Sequence, residues 1–140
     1  MMIDPNTSGG MRNLAVTLVG DLPPRPHATV EAGDAMWQVV EAMKTQGRGA
    51  VLVQEDGALV GIFTDRDAIL KVAGQPIEGR TVGEVMTHDP VILRSGDPVA
   101  VAIHKMAVGG FRHVPIVKGG VPVGVVSARD VFRHLAADLG

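Results

Sequence analysis

One pattern occurs twice in this chain, and the duplication limits the fold more than any other feature. Residues 57–67 read GALVGIFTDRD and residues 120–130 read GVPVGVVSARD, so that Asp67 and Asp130 are separated by 63 positions. Each copy is an apolar run that ends in a hydroxyl residue, with a carboxylate three positions later. A fixed period over two units predicts a duplicated supersecondary element whose copies bury each other's apolar faces.

The correspondence extends along most of the chain. Residues 19–22 (VGDL) match residues 82–85 (VGEV), and the same spacing relates Met43 to Met106, Gly47 to Gly110, Val51 to Val114 and Ala73 to Ala136. We therefore predict a first repeat over residues 19–79 and a second over residues 80–140. Residues 1–18 are expected to form a flexible lead, because their first part lacks periodicity and contains helix breakers. The prolines within residues 23–26 predict an extended, helix-free entry to the first repeat.

The predicted elements follow the same order in both repeats. Apolar residues at helical spacing, such as Ala35, Val39 and Met43, indicate an amphipathic helix that starts at an aspartate and ends near a glycine. Asp56-Gly57 and Gly119-Gly120 predict tight turns, each followed by a strand. Each repeat is thus predicted as β-α-β-β-α, an α/β (α+β) fold, with strands at 28–30, 50–53, 91–93 and 113–117, helices at 34–45, 65–72, 97–108 and 128–137, and a link at 74–89.

Composition is typical of a soluble globular protein and excludes several classes of function. The 140 residues are 46% hydrophobic and 20% charged with a net charge of −2, which gives no electrostatic basis for binding nucleic acid or an anionic membrane. No cysteine is present, so disulfides, thiolate chemistry and cysteine-based zinc sites are excluded. No apolar run approaches the roughly 20 residues of a spanning helix, and no signal peptide is apparent. We expect a cytoplasmic protein.

The hydroxyl–carboxylate pairs, Thr64 with Asp67 and Ser127 with Asp130, permit two interpretations. Each pair can cap the helix that follows, whose first backbone N–H groups have no partner within the helix. The same N–H groups and the helix dipole also favour an anionic ligand at that end. Two copies of the pair, each with a glycine three residues before the hydroxyl, favour a binding role in addition to the cap.

The sequence resembles the CBS domain pair, or Bateman module. The resemblance rests on Gly61…Thr64…Asp67 and on Gly124…Ser127…Asp130, and residues 85–91 (VMTHDPV) are similar to the segment that opens a CBS repeat. It covers about residues 19–138. The first repeat departs from the family pattern, because residues 23–26 (PPRP) stand where the second repeat has residues 86–89 (MTHD).

This resemblance implies two repeats packed through their sheets about a pseudo-twofold axis, with two clefts for adenosine-containing ligands. The ligands would be AMP, ADP, ATP or S-adenosylmethionine. By the resemblance, Asp67 and Asp130 accept hydrogen bonds from ribose hydroxyls, and Thr64 and Ser127 help to hold the sugar or phosphate. Charge-assisted bonds of this kind suit a carboxylate facing two O–H donors.

Arg112 and His113 are further candidates for ligand binding. In related modules, a basic pair at the start of this strand reaches across the axis to the phosphates in the other repeat's cleft. The alternative is a solvated arginine and an edge-strand histidine. The first repeat has Gly49 and Ala50 at the matching positions, with Arg48 as a displaced substitute. The Asp67 cleft is therefore expected to bind phosphorylated ligands more tightly than the Asp130 cleft.

No group of residues predicts catalysis or a metal site. His88, His104 and His134 lie far apart, with no partner at metal spacing. Ser127 and His113 could be named as nucleophile and base, but Ser127 is already explained as a cap and ligand residue. The protein is therefore expected not to be an enzyme and to require no cofactor.

The resemblance predicts a regulatory sensor that signals the presence of an adenosyl ligand to an effector protein. The alternative to a ligand sensor is a structural or protein-interaction module without a ligand. A homodimer is expected because CBS pairs usually associate. The helix predicted at 97–108 also carries more apolar residues than one buried face requires.

Overall fold

The computed structural model describes residues 17–22 and 27–139. The predicted lead up to residue 16 and the predicted extended entry at residues 23–26 lie outside the described residues. The chain forms two compact units. The N-terminal unit contains residues 27–90 and 119–122, and the C-terminal unit contains residues 17–22, 91–118 and 123–139.

The N-terminal unit is built on a four-stranded sheet. Strands β1 (Thr29–Glu31), β2 (Ala50–Glu55), β3 (Ala58–Thr64) and β4 (Thr87–His88) lie side by side in that order. β1 runs parallel to β2, and the other neighbours are antiparallel. The helical elements are α1 (Met36–Gln46), α2 (Asp65–Asp67), a π-helical segment (Ala68–Val72) that continues α2, and α3 (Val82–Val85).

The core of this unit lies between the sheet and its helices. Met36 and Val39 of α1 pack with Phe63 of β3, and all three are at most 2% exposed. The predicted turn at Asp56 and Gly57 is confirmed. Their φ angles of 52° and 79° are those of a two-residue hairpin, for which Asp-Gly is a favoured sequence.

The C-terminal unit repeats the arrangement on a smaller sheet. Helix α4 (Val99–Gly109) precedes strands β5 (His113–Lys118) and β6 (Val121–Ser127), which pair with each other, and α5 (Ala128–Leu139) follows directly. Gly119 and Gly120, with φ angles of 58° and 82°, form the predicted turn between the strands. The buried core residues are Val19, Leu93, Val99, Ala102, Val114, Ile116, Val126 and Val131.

Each unit is completed by a short helical turn with the sequence Val-Gly. In the N-terminal unit the turn is α3, where the N–H groups of Val82 and Gly83 donate to the carbonyls of Asp34 and Ala32 at 2.9 Å. A Cβ on Gly83 would lie 2.8 Å from the Ala32 oxygen, so only glycine allows this approach. In the C-terminal unit the turn is a 3₁₀ helix, Val19–Asp21, whose Val19 N–H donates to the Asp97 carbonyl at 2.8 Å.

Each of these turns belongs to one repeat in the sequence but to the compact unit that contains most of the other repeat. Residues 82–85 open the second repeat in the sequence, yet they complete the unit that contains most of the first repeat. Residues 19–21 open the first repeat and complete the other unit. The matching VGDL and VGEV sequences are therefore explained by one structural role, performed twice.

Several predicted element boundaries were wrong by one or two residues. Helix α1 starts at Met36 instead of Asp34, because the Asp34 carboxylate accepts from the Glu31 N–H at 3.0 Å and closes the preceding turn. Asp97 accepts from the Arg94 N–H at 2.8 Å in the same way, and α4 starts at Val99. The strand predicted at residues 91–93 contributes a single bridge from Leu93 to Ile116. The link predicted at 74–89 contains α3 and β4.

Candidate functional site

Asp67 lies at the end of α2 and is 8% exposed, the one buried charged residue in the described part of the chain. β3 ends at Thr64, which keeps an extended backbone and caps the helix. The Asp67 N–H donates to Thr64 Oγ1 at 3.1 Å, and the Thr64 N–H donates to Asp67 Oδ2 at 3.0 Å. The capping interpretation of this pair is therefore confirmed.

Three side-chain donors also reach the Asp67 carboxylate. Thr64 Oγ1 lies 3.2 Å from Oδ2, and Thr87 Oγ1 in β4 lies 3.2 Å from Oδ1. The ammonium of Lys71 lies 3.1 Å from Oδ1. Lys71 Nζ also donates to the Val85 carbonyl at 3.1 Å, at the end of α3. We call this pair of contacts the Lys71 bridge.

The Lys71 bridge depends on the helix that carries both of its charged groups. Lys71 follows Asp67 by four residues, a spacing at which side chains meet on one helix face. It lies within the π-helical segment, where the Ala73 N–H bonds to the Ala68 carbonyl at 2.8 Å instead of continuing the α-helical pattern. Such segments are rare and occur frequently at functional sites.

Gly61 explains how Thr87 comes close to Asp67. It pairs with His88 across β3 and β4, and a Cβ on Gly61 would lie 2.9 Å from the Thr87 carbonyl oxygen. The glycine of the repeated pattern therefore permits β4 to pack against β3. At the matching position in the second repeat, a Cβ on Gly124 would meet Ile116 Cδ1 at 3.5 Å, an ordinary contact.

The second hydroxyl–carboxylate pair forms the same cap at the start of α5. The Asp130 N–H donates to Ser127 Oγ at 3.1 Å, and the Ser127 N–H donates to Asp130 Oδ2 at 3.1 Å. Asp130 is half-buried, in contrast to Asp67. His134 occupies the position that corresponds to Lys71.

Arg112 and His113 lie at the start of β5, within the C-terminal unit. The Arg112 side chain is exposed and that of His113 is half-buried. The Arg112 carbonyl accepts from the Ala128 N–H at 2.8 Å, as the Gly49 carbonyl accepts from the Asp65 N–H at 2.9 Å. Each bond ties the start of the second helix to the first strand of its hairpin. The proposed contact of Arg112 and His113 with a ligand at Asp67 stays a prediction.

Two residues near Asp67 were not identified from the sequence. Lys71 could have been found, because a basic residue four positions after an acidic one is a recognised helix pairing. Thr87 is separated from Asp67 by 20 residues, and no spacing rule connects them. Among residues 17–22 and 27–139, no group of three or more histidine or acidic side chains is arranged to hold a metal ion. In the same residues, no helix has the length and apolarity needed to cross a membrane.

Comparison with known proteins gives consistent matches along the chain. The family model of the CBS domain matches residues 19–74 and 82–137. The CBS domain-containing protein YhcV of Bacillus subtilis (strain 168) is 36% identical over 108 residues, which cover 74% of this chain and 75% of YhcV. The chain spans about a fifth of the length of the Arabidopsis thaliana proteins CBSCBSPB2 and CBSCBSPB5, to which it is 31% and 33% identical.

Two solved structures share the fold. A protein with CBS domains from Burkholderia ambifaria MC40-6 has a TM-score of 0.81 and 26% identity, covering 89% of this chain and 97% of the other. The CBS domain pair of protein MJ0100, solved in complex with 5′-methylthioadenosine and S-adenosyl-L-methionine, has a TM-score of 0.75 and 25% identity. That match covers 84% of this chain and 98% of the other.

Proposed function

Because the chain belongs to the CBS domain family, we propose that it is a non-catalytic regulatory module that binds an adenosine-containing ligand. The observation that carries the proposal is the pair of capped carboxylates, Asp67 and Asp130, at equivalent positions of the two repeats. The adenosyl ligands of the MJ0100 pair support the same ligand class. AMP, ADP, ATP and S-adenosylmethionine are the candidates for this chain.

The chemistry of the two sites suits a ribose. A carboxylate accepts two hydrogen bonds from vicinal hydroxyls, and ionised acceptors make stronger bonds than neutral ones. The caps hold each carboxylate in a fixed orientation, because the backbone N–H groups of Thr64 and Ser127 bind Oδ2 of Asp67 and Asp130. By the family resemblance, Arg112 and His113 would contact the phosphates of a ligand at Asp67.

Regulation would follow from linkage between ligand binding and two states of the module. A ligand shifts such an equilibrium only by its differential affinity for the two states. An effector protein that binds one state would then report the concentration of the ligand. The second candidate function is an interaction module without a ligand, which the exposed apolar side chains favour.

A homodimer is part of the proposal. Large apolar side chains are exposed at equivalent positions of the two repeats, Ile69 at 70% and Phe132 at 68%. Val108 at the end of α4 is 75% exposed. Burying such side chains against a second copy would remove apolar surface from water. We place the protein in the cytoplasm, in agreement with a chain that lacks cysteine.

Thermal unfolding with a panel of adenosine compounds tests ligand binding. A ligand at 100 times its dissociation constant should stabilise the native state by about 2.7 kcal/mol. Asp67→Asn and Asp130→Asn each replace a charged acceptor with a neutral one of similar shape, and the double variant should lose the stabilisation. Mass spectrometry of small molecules released on denaturation would identify a ligand that copurifies. No stabilisation by any compound at millimolar concentration would favour the interaction module.

A further inference from the structure

The carboxylate of Asp67 already has as many donors as it can accept. An ionised carboxylate offers about four lone-pair positions. Oδ2 accepts from the Thr64 N–H and Thr64 Oγ1, and Oδ1 accepts from Thr87 Oγ1 and the Lys71 ammonium. Thr87 Oγ1 also lies 3.4 Å from Oδ2. A ligand that brings two ribose hydroxyls to Asp67 must therefore displace donors that belong to the protein.

The donors on Oδ1 are the ones that can leave. The two shorter contacts on Oδ2, at 3.0 and 3.2 Å, come from Thr64, which is fixed by the cap at the end of β3. The Lys71 side chain, in contrast, is 40% exposed and is long enough to move into solvent without rearranging the backbone. Its ammonium is also a charged donor to Asp67.

We propose that Lys71 is an internal competitor of the ligand at Asp67 and sets the affinity of the N-terminal unit for ribose compounds. This inference rests on the proposed function. In the free protein the Lys71 bridge occupies the Asp67 carboxylate, and ribose hydroxyls replace the ammonium when a ligand binds. The corresponding position in α5 holds His134.

Displacement of Lys71 would also affect the segment from Val85 to His88, at the end of α3 and in β4. The same ammonium binds the Val85 carbonyl at the end of α3, and Thr87 in β4 contacts the same carboxylate. A ligand that displaces Lys71 therefore removes a bond that holds the segment from Val85 to His88 against the π-helical segment. The Lys71 bridge thus couples occupation of Asp67 to the α3–β4 segment.

Calorimetric titration with adenosine measures the competition directly. Adenosine is uncharged, so its affinity contains no attraction between a lysine and a phosphate. The Asp130→Asn background limits the titration to the Asp67 site. In that background Lys71→Met should bind adenosine about 1.4- to 5-fold more tightly, the range expected for removal of a partly exposed ion pair.

Lys105→Met is the matched control. Lys105 Nζ donates to the Ile92 carbonyl at 2.7 Å, so this variant also removes a lysine–carbonyl bond, but it leaves Asp67 unchanged. Its adenosine affinity should equal that of the parent. If Lys71→Met binds adenosine no more tightly than the parent while the parent binds, the competition is refuted and the proposed function stands.

Amide hydrogen exchange tests the Lys71 bridge without a ligand. The Met86 N–H bonds to Val82 at 2.8 Å, and exchange of this amide and of its neighbours up to His88 should be faster in Lys71→Met than in the parent or Lys105→Met. Equal exchange in all three proteins would overturn the coupling to the α3–β4 segment. If the parent binds no adenosine compound, the proposed function fails and the competition fails with it.

Discussion

Gly61→Ala tests the close packing that brings β4 to Asp67. An added Cβ would meet the Met86 side chain and would also lie 2.9 Å from the Thr87 carbonyl oxygen, a backbone atom that can move only if β4 shifts away from β3. Overpacking of this kind costs about 1–3 kcal/mol. The matched control is Gly124→Ala at the same position of the second repeat, where the Cβ would meet the flexible end of Ile116 at 3.5 Å.

The comparison of the two variants isolates the steric effect. Each replacement of glycine by alanine also restricts the unfolded chain, which contributes about 0.4–1 kcal/mol of stability. Because this contribution is common to both, Gly61→Ala should be about 1–3 kcal/mol less stable than Gly124→Ala. Urea unfolding followed by circular dichroism measures the difference. Because the free energy of unfolding falls by about 1–3 kcal/mol per molar urea, the two variants should have clearly separate unfolding midpoints. Equal midpoints would refute the assignment of Gly61 to the packing of β4.

Three further predictions concern the caps, the basic pair and the dimer. Thr64→Ala and Ser127→Ala should each lower the free energy of unfolding by about 1 kcal/mol in denaturant titrations, because each removes an N-cap, and an unchanged value for both would contradict the cap assignment. Arg112→Ala should weaken AMP binding about tenfold or more in calorimetry, since a charge-assisted bond contributes about 1.5–3 kcal/mol. The binding phase of the titration that Arg112→Ala weakens should be the one that Asp67→Asn removes. Loss of a different binding phase would show that Arg112 contacts a ligand at another site. Phe132→Ser should shift light scattering from two subunits' mass toward one, and a parent that is monomeric at micromolar concentration would exclude the dimer.

The sequence predicted the features that depend on short-range patterns. The turns at Asp56-Gly57 and Gly119-Gly120 follow from residues that tolerate positive φ angles, and both were confirmed. The caps at Thr64 and Ser127 follow from a hydroxyl and a carboxylate three residues apart. The family and its fold followed from two copies of this pattern in register.

Features that depend on tertiary contacts were missed or misplaced. Asp34 was read as a helix start because aspartate is a common N-cap, but its carboxylate caps the turn after β1 instead. The four residues of α3 are too few to show helical periodicity, and their position depends on contacts with Ala32 and Asp34. Thr87 was missed as a donor to Asp67 for the same reason, because it reaches the carboxylate through the pairing of β4 with β3.

The exchanged helical turns have a consequence for any fragment that contains a single repeat. A chain cut after residue 79 would lose Val82 and Val85, which are at most 4% exposed and belong to the core around Phe63. The remaining fragment, residues 80–140, would lose Val19, which is 1% exposed and belongs to the core around Leu93. The repeating unit of the sequence is therefore not the folding unit. Each single-repeat fragment would lack the helical turn that completes its core.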